Sequence, residues 1–233
     1  MSNVNEFSIP RSVTHTRNIL KNVYMWMTIA LAITGVVAYG LSQNAAFMQS
    51  LIHSPAVFVI WIAQLATVFF LSAFVWKMSP TVATIVFALY AVLNGVTFST
   101  IFLRYDLGSI ATTFFITAGT FAAMSVYGLT TKRDLSKIGN YLLMGLIGVI
   151  IASVVNFFLN SSVIQYIISF VGVLVFVGLT AWDTQKIKKM SDAHGDSIGE
   201  ADYIRLSIQG ALSLYLDFIN LFIFLLRLLG GRR

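Results

Sequence analysis

A chain of 233 residues that is 58% hydrophobic and only 10% charged is an integral membrane protein, because an ordinary soluble domain carries about 25% charged residues. Spanning segments consume nearly all of it and leave no room for a separate soluble domain. The absence of cysteine excludes disulfides, thiol catalysis and thiolate metal sites, and the formal charge of +6 lies in short basic segments between apolar runs, where it serves topology and anionic-lipid contact rather than nucleic acid.

In chain order, a polar, basic N-terminal segment (1–21) leads into a membrane domain (22–230). Seven runs are long and apolar enough to cross a bilayer as helices, the only open-ended structure that satisfies its own backbone in lipid. They are placed at 22–41, 55–76, 80–103, 110–130, 140–159, 162–182 and 204–229. Ser79-Pro80 reads as an N-cap followed by proline at the first helical position, and Asn160-Ser161 leaves room only for a tight helical hairpin. Ahead of the last span, 191–199 (SDAHGDSIG) reads as a polar turn.

Charge sets the expected orientation. With the N-terminus inside, eleven of the 15 basic residues (Arg11, Arg17, Lys21, Lys77, Lys132, Arg133, Lys137, Lys186, Lys188, Lys189 and Arg205) lie on the inner side, as the positive-inside rule requires. Arg104, Arg227 and the tail pair Arg232-Arg233 fall outside. The first apolar run is full-length, which favours an uncleaved first helix, and so a bacterial inner membrane or an endomembrane, over a signal peptide.

The side chains available argue against an enzyme. His15, His53 and His194 all lie outside the spans and form no HExxH motif, which removes an intramembrane zinc protease and the histidine base of a rhomboid-type serine protease. The last lysine, Lys189, precedes the seventh span, so an opsin-type retinal linkage has no residue to form on. No cofactor is implied. The amides Gln64, Asn94, Asn156, Gln209 and Asn220 suit interhelical hydrogen bonding, and Arg227, near a helix end, can reach the interface.

Two carboxylates remain, Asp183 in AWDTQKI and Asp217 in LYLDFINLF. Moving Asp to the centre of a membrane helix costs about 2.5 to 3.5 kcal/mol on insertion scales. Asp217 lies about 20 Å along its helix from Ile204, deep enough that it must face protein, an ion path or a packing partner. Asp183 ends the sixth span, either as an interfacial acid paired with Lys186 or as the partner of Asp217. If the two meet about 4 Å apart, ionised, they repel by about 4 kcal/mol at an effective dielectric of about 20, so they would share one proton. A nearby cation would relieve that repulsion. Lys77, at the inner end of the second span, is the candidate for a movable partner; its alternative is a topology-setting lysine.

LYLDFINLFIFLLRLLG (214–230) and AWDTQKI (181–187), supported by YGLTTKRDLS (127–136) and NGVTFSTIF (94–102), resemble the Bax inhibitor-1, or transmembrane Bax inhibitor motif, family. The resemblance covers the chain from residue 22 onward and implies an all-α fold in which six helices surround a central C-terminal helix. It implies that the family's paired aspartates fall on Asp183 and Asp217 and that a latch, an arginine in the family, falls on or near Lys77. It further implies a pH-sensitive calcium-permeable leak, with calcium as permeant or weakly bound ion. The alternative it carries is an interaction protein that regulates a membrane-bound AAA protease or a stress response. A proton-coupled transporter is a third reading. Calcium takes about six to eight oxygen ligands, and two carboxylates supply at most four, so weak, transient binding is the expectation.

Overall fold

The computed structural model describes residues 11–194 and 198–231, with side chains over 19–193 and 198–231. The described residues form eight α-helices and no strand: α1 (Arg11–Ser42), α2 (Ala45–His53), α3 (Ala56–Phe74), α4 (Pro80–Ser99), α5 (Leu107–Thr130), α6 (Ser136–Leu159), α7 (Ser162–His194) and α8 (Glu200–Leu229). Single 3-10 segments, Val75–Lys77 and Thr100–Leu103, follow α3 and α4. All except α2 are long and apolar enough to span a membrane, so all seven expected spans are present.

Local chemistry explains the ends. Ser79 caps α4 by accepting from the Val82 amide, with Pro80 in the first turn where its missing N–H costs nothing. The α6–α7 hairpin closes on Asn160, which adopts the left-handed conformation at φ 50°; the Asn156 side chain accepts from the Ser161 amide at 3.1 Å. Asn is one of the few residues besides Gly that tolerates this conformation. The unanticipated α2 is nine residues long; Asn44 caps it through the Phe47 amide, and Met48 and Leu51 bury its inner face.

Two boundaries differ from the sequence reading. Helix α1 starts at Arg11 rather than near residue 22, and its Ile19 and Val23 are fully buried against α8 residues such as Leu206 and Ile208. The N-terminal boundary at 21 therefore falls inside a helix, while residues 1–10 lie outside the described ones. Helix α7 runs to His194 rather than stopping at Trp182. Its extension contains no Gly or Pro, and its polar side chains find partners on the α5–α6 connection, so the polar turn shrinks to the residues after His194. Within that turn 195–197 lie outside the described residues, as does the tail pair Arg232-Arg233.

Helix α8 packs against α1, α3, α4, α5 and α7, whereas α6 packs on α7 and reaches α8 through Val149, in a cluster with Leu221, Phe224 and Leu225. The expected ring around α8 is thus filled directly by five helices. On the outward side stand the large apolar side chains of α3 and α6, among them Leu65, Phe69, Met144 and Phe158, which a bilayer solvates.

Candidate functional site

Small residues let α7 and α8 approach. Gly210 lies against Ile187 and Val23, and Gly172 against the Phe224 ring. These two contacts set the antiparallel register of α7 and α8. In that register Asp183 is level with Leu214, one turn from Asp217, or about 4.5 Å of axial rise. The lengthened α7 absorbs the offset that separates the two acids along the sequence.

Asp217 is 3% exposed, and its Oδ2 is buried without a hydrogen-bond partner among the described residues. The acid that this register brings toward it is Asp183, which is half-buried on α7 and is followed by Lys186 three residues along the same helix. An unpaired ionised carboxylate in the interior costs several kcal/mol, and a second one beside it adds repulsion. A proton or a cation must therefore compensate the pair. Further unpartnered buried oxygens lie on the same mutually packed helices α5, α7 and α8: Ser125 Oγ, Thr184 Oγ1, Ser191 Oγ and Gln209 Oε1. Thr184 faces α5 at Gly128, where no Cβ fits against the Ala181 carbonyl.

Lys77 stands apart from the two acids. It is exposed at the end of the 3-10 segment, its ammonium 5.6 Å from the centroid of the Phe74 ring. The basic side chain that holds this corner is Arg205, whose Nε donates to the Met78 carbonyl at 2.8 Å and whose Nη1 donates to Asp202 at 2.7 Å. The i, i+3 spacing of Asp202 and Arg205 signals their pairing in the sequence, but nothing there points to Met78.

Below Asp183, the extended α7 grips the α5–α6 connection. The buried Gln185 amide donates to the Arg133 carbonyl at 2.8 Å and accepts from the Leu135 amide at 2.9 Å. Lys188 donates to the Leu129 carbonyl at the C-terminal end of α5, where a cation also suits the helix dipole. Lys189 pairs with Asp134. The Lys189 ammonium and the Ser136 amide and hydroxyl hold the Asp134 carboxyl well below the usual range.

The amides behave differently from expectation. Asn94 and Asn220 donate to Tyr90 and Leu216 one turn back in their own helices, because a carbonyl four residues earlier is the acceptor already in reach. Asn156 does reach α7, through Gln165 at 3.4 Å. The deep interhelical link is instead the Tyr215 hydroxyl with Thr34 Oγ1 at 2.7 Å, Thr34 in turn donating to the Ala91 carbonyl at 2.9 Å. Phe87 and Tyr90 meet the Tyr215 ring edge to face. Three helices are joined at one tyrosine.

The family model described as "Inhibitor of apoptosis-promoting Bax1" matches residues 16–233. The chain is 51% identical over 216 residues to the Inner membrane protein YbhL of Escherichia coli, covering 92% of each chain. It is 47% identical over 215 residues to an uncharacterized protein of Borreliella burgdorferi, again covering 92% of each. An uncharacterized membrane protein of Streptococcus pyogenes is 37% identical over 209 residues, covering 89% of this chain and 88% of its own. With seven membrane-length helices and a family match along almost its whole length, the chain belongs to the Bax inhibitor family of integral membrane proteins.

Proposed function

We propose that the protein is a proton-sensitive, calcium-permeable leak in which Asp183 and Asp217 form the element that a permeating ion meets. One observation carries this reading: Asp217 is buried deep in α8 with an unpartnered oxygen, and the α7–α8 register puts the Asp183 carboxylate one turn away along the helix axis. Such a pair attracts a divalent ion when ionised and loses that attraction on taking up a proton. Among the described residues no three His, Cys, Asp or Glu side chains converge, so the pair is too small for the full oxygen cage of a tight calcium site. Weak binding suits passage rather than storage. Ser125, Thr184 and Gln209 add further buried, unpartnered oxygens on the same three helices. The excess of lysine and arginine on the side that bears the α5–α6 connection supports a cytoplasmic N-terminus, and likeness to YbhL supports an inner membrane.

Calcium flux into proteoliposomes, followed with an entrapped dye between about pH 5 and pH 8, tests the reading. Wild-type flux is expected to change across that range, and Asp217→Asn and Asp183→Asn are expected to flatten the profile. Unchanged pH dependence in both variants overturns the carboxylate mechanism. A folded protein that passes no calcium at any pH, yet retains a membrane protease on purification, would favour the interaction role.

A further inference from the structure

A cavity of about 340 Å³ opens between the N-terminal end of α6 and the extended part of α7, away from the Asp183–Asp217 pair's α7–α8 interface. Its lining includes Lys137, Lys186 and Lys189, together with Asn140 and Trp182, and no carboxylate. The three cations are differently engaged. Lys189 is held by Asp134 at the rim, Lys186 lies 5.2 Å over the Trp182 ring, and Lys137 is exposed and has no hydrogen bond or ion pair among the described residues. Trp182 is fixed as a wall because its ring occupies the space that a side chain at Gly139 would take.

The position of the cavity selects its occupant. It lies where α6 begins its span, and the α6 residues just beyond it, Ile138, Tyr141 and Met144, are exposed apolar side chains that face lipid. Trp and Tyr at such a level mark the headgroup region of a bilayer. A concave basic site open to that region and bordered by lipid-facing surface matches an anionic phospholipid, with its phosphodiester among the lysines and its acyl chains along α6. We infer that this α6–α7 cavity is a binding site for the headgroup of an anionic phospholipid. Because the same segment of α7 carries Asp183 and grips the α5–α6 connection through Gln185, a lipid bound there would brace the inner end of α7.

Native mass spectrometry of the full-length protein in neutral detergent, titrated with phosphatidylglycerol, phosphatidylcholine or glycerol phosphate, tests the site. Phosphatidylglycerol is expected to bind in preference to the other two probes. Lys137→Gln and Lys186→Gln are each expected to weaken it by about fivefold, with the double variant weaker still. Both side chains are exposed, and the melting temperature of each variant verifies folding. Lys132→Gln and Arg104→Gln, whose side chains are exposed and do not line the cavity, are expected to bind as the wild type does. Three outcomes overturn the proposal: wild-type phosphatidylglycerol affinity in the folded single variants, an equal loss in the two control variants, or glycerol phosphate binding as tightly as the lipid.

Discussion

Helices α3 and α8 are both apolar enough to cross a membrane, yet they occupy opposite environments. On α3, Phe58, Val59, Ile62, Leu65 and Phe69 are all more than half exposed, and Leu71 is its single buried residue. On α8, burial runs almost without interruption from Leu206 to Leu226. The difference lies in what accompanies the apolar residues. Helix α8 carries Ser207, Gly210, Tyr215 and Asp217, and each needs protein around it: the glycine for close approach, the polar groups to avoid hydrocarbon. Helix α3 carries little that lipid cannot solvate, so it is free to stand outside.

Matched substitutions test that contrast. The largest difference is expected between Leu214→Ala and Leu65→Ala, at 0% and 69% exposure. The first opens a cavity in the core and should cost about 2 to 5 kcal/mol, whereas the second should stay within about 0.5 kcal/mol; reversible unfolding in mixed micelles reads both. Equal costs would mean that α8 is not the interior helix.

Next comes Gln185→Ala, which leaves the Arg133 carbonyl and the Leu135 amide without their partner and should cost about 1 to 3 kcal/mol. Hydrogen exchange should locate the loss at the α5–α6 connection, and unchanged protection there would dissolve the clamp. Tyr215→Phe removes one hydrogen bond but leaves Thr34 bonded to Ala91, so about 1 kcal/mol is expected. Gln64→Leu on α3, with no bond to replace in the described structure, should change stability by less than that.

The smallest effect belongs to the Lys189–Asp134 pair, which is exposed on both sides. Because the folded state holds the Asp134 carboxyl below its ordinary value, its contribution is present above the usual carboxylate range near pH 4 and fades as pH falls below it. Solvent screens such a pair strongly. Asp134→Asn should therefore lessen the acid-side loss of stability slightly and leave neutral-pH stability almost unchanged. A large change at neutral pH would show that the pair anchors the inner end rather than decorating it.

The spans were legible because backbone satisfaction in lipid demands long apolar helices, and their ends were legible at Ser79-Pro80 and Asn160, where cap chemistry is local. The depth of Asp217 could be read the same way, by counting residues along one helix. The Gln185 clamp, the Arg205–Met78 contact and the Thr34–Tyr215 link were not legible. Their partners lie 50 to 181 residues apart in the chain, and a backbone carbonyl carries no sequence signature. The end of α7 was missed for a related reason: hydropathy stops reporting where the helix leaves lipid, although the helix itself continues.

Sequence alone determined that seven helices cross the membrane and that two acids lie in or at the edge of the last two spans. Tertiary structure decided the rest: α8 lies inside while α3 faces lipid, Asp183 is brought within one turn of Asp217, and Lys77 is left outside with Phe74. The physical reason is that lipid and a protein interior are similarly apolar. Hydropathy thus identifies a spanning helix without choosing its neighbours, and that choice falls to glycine contacts and to polar groups that must find one another.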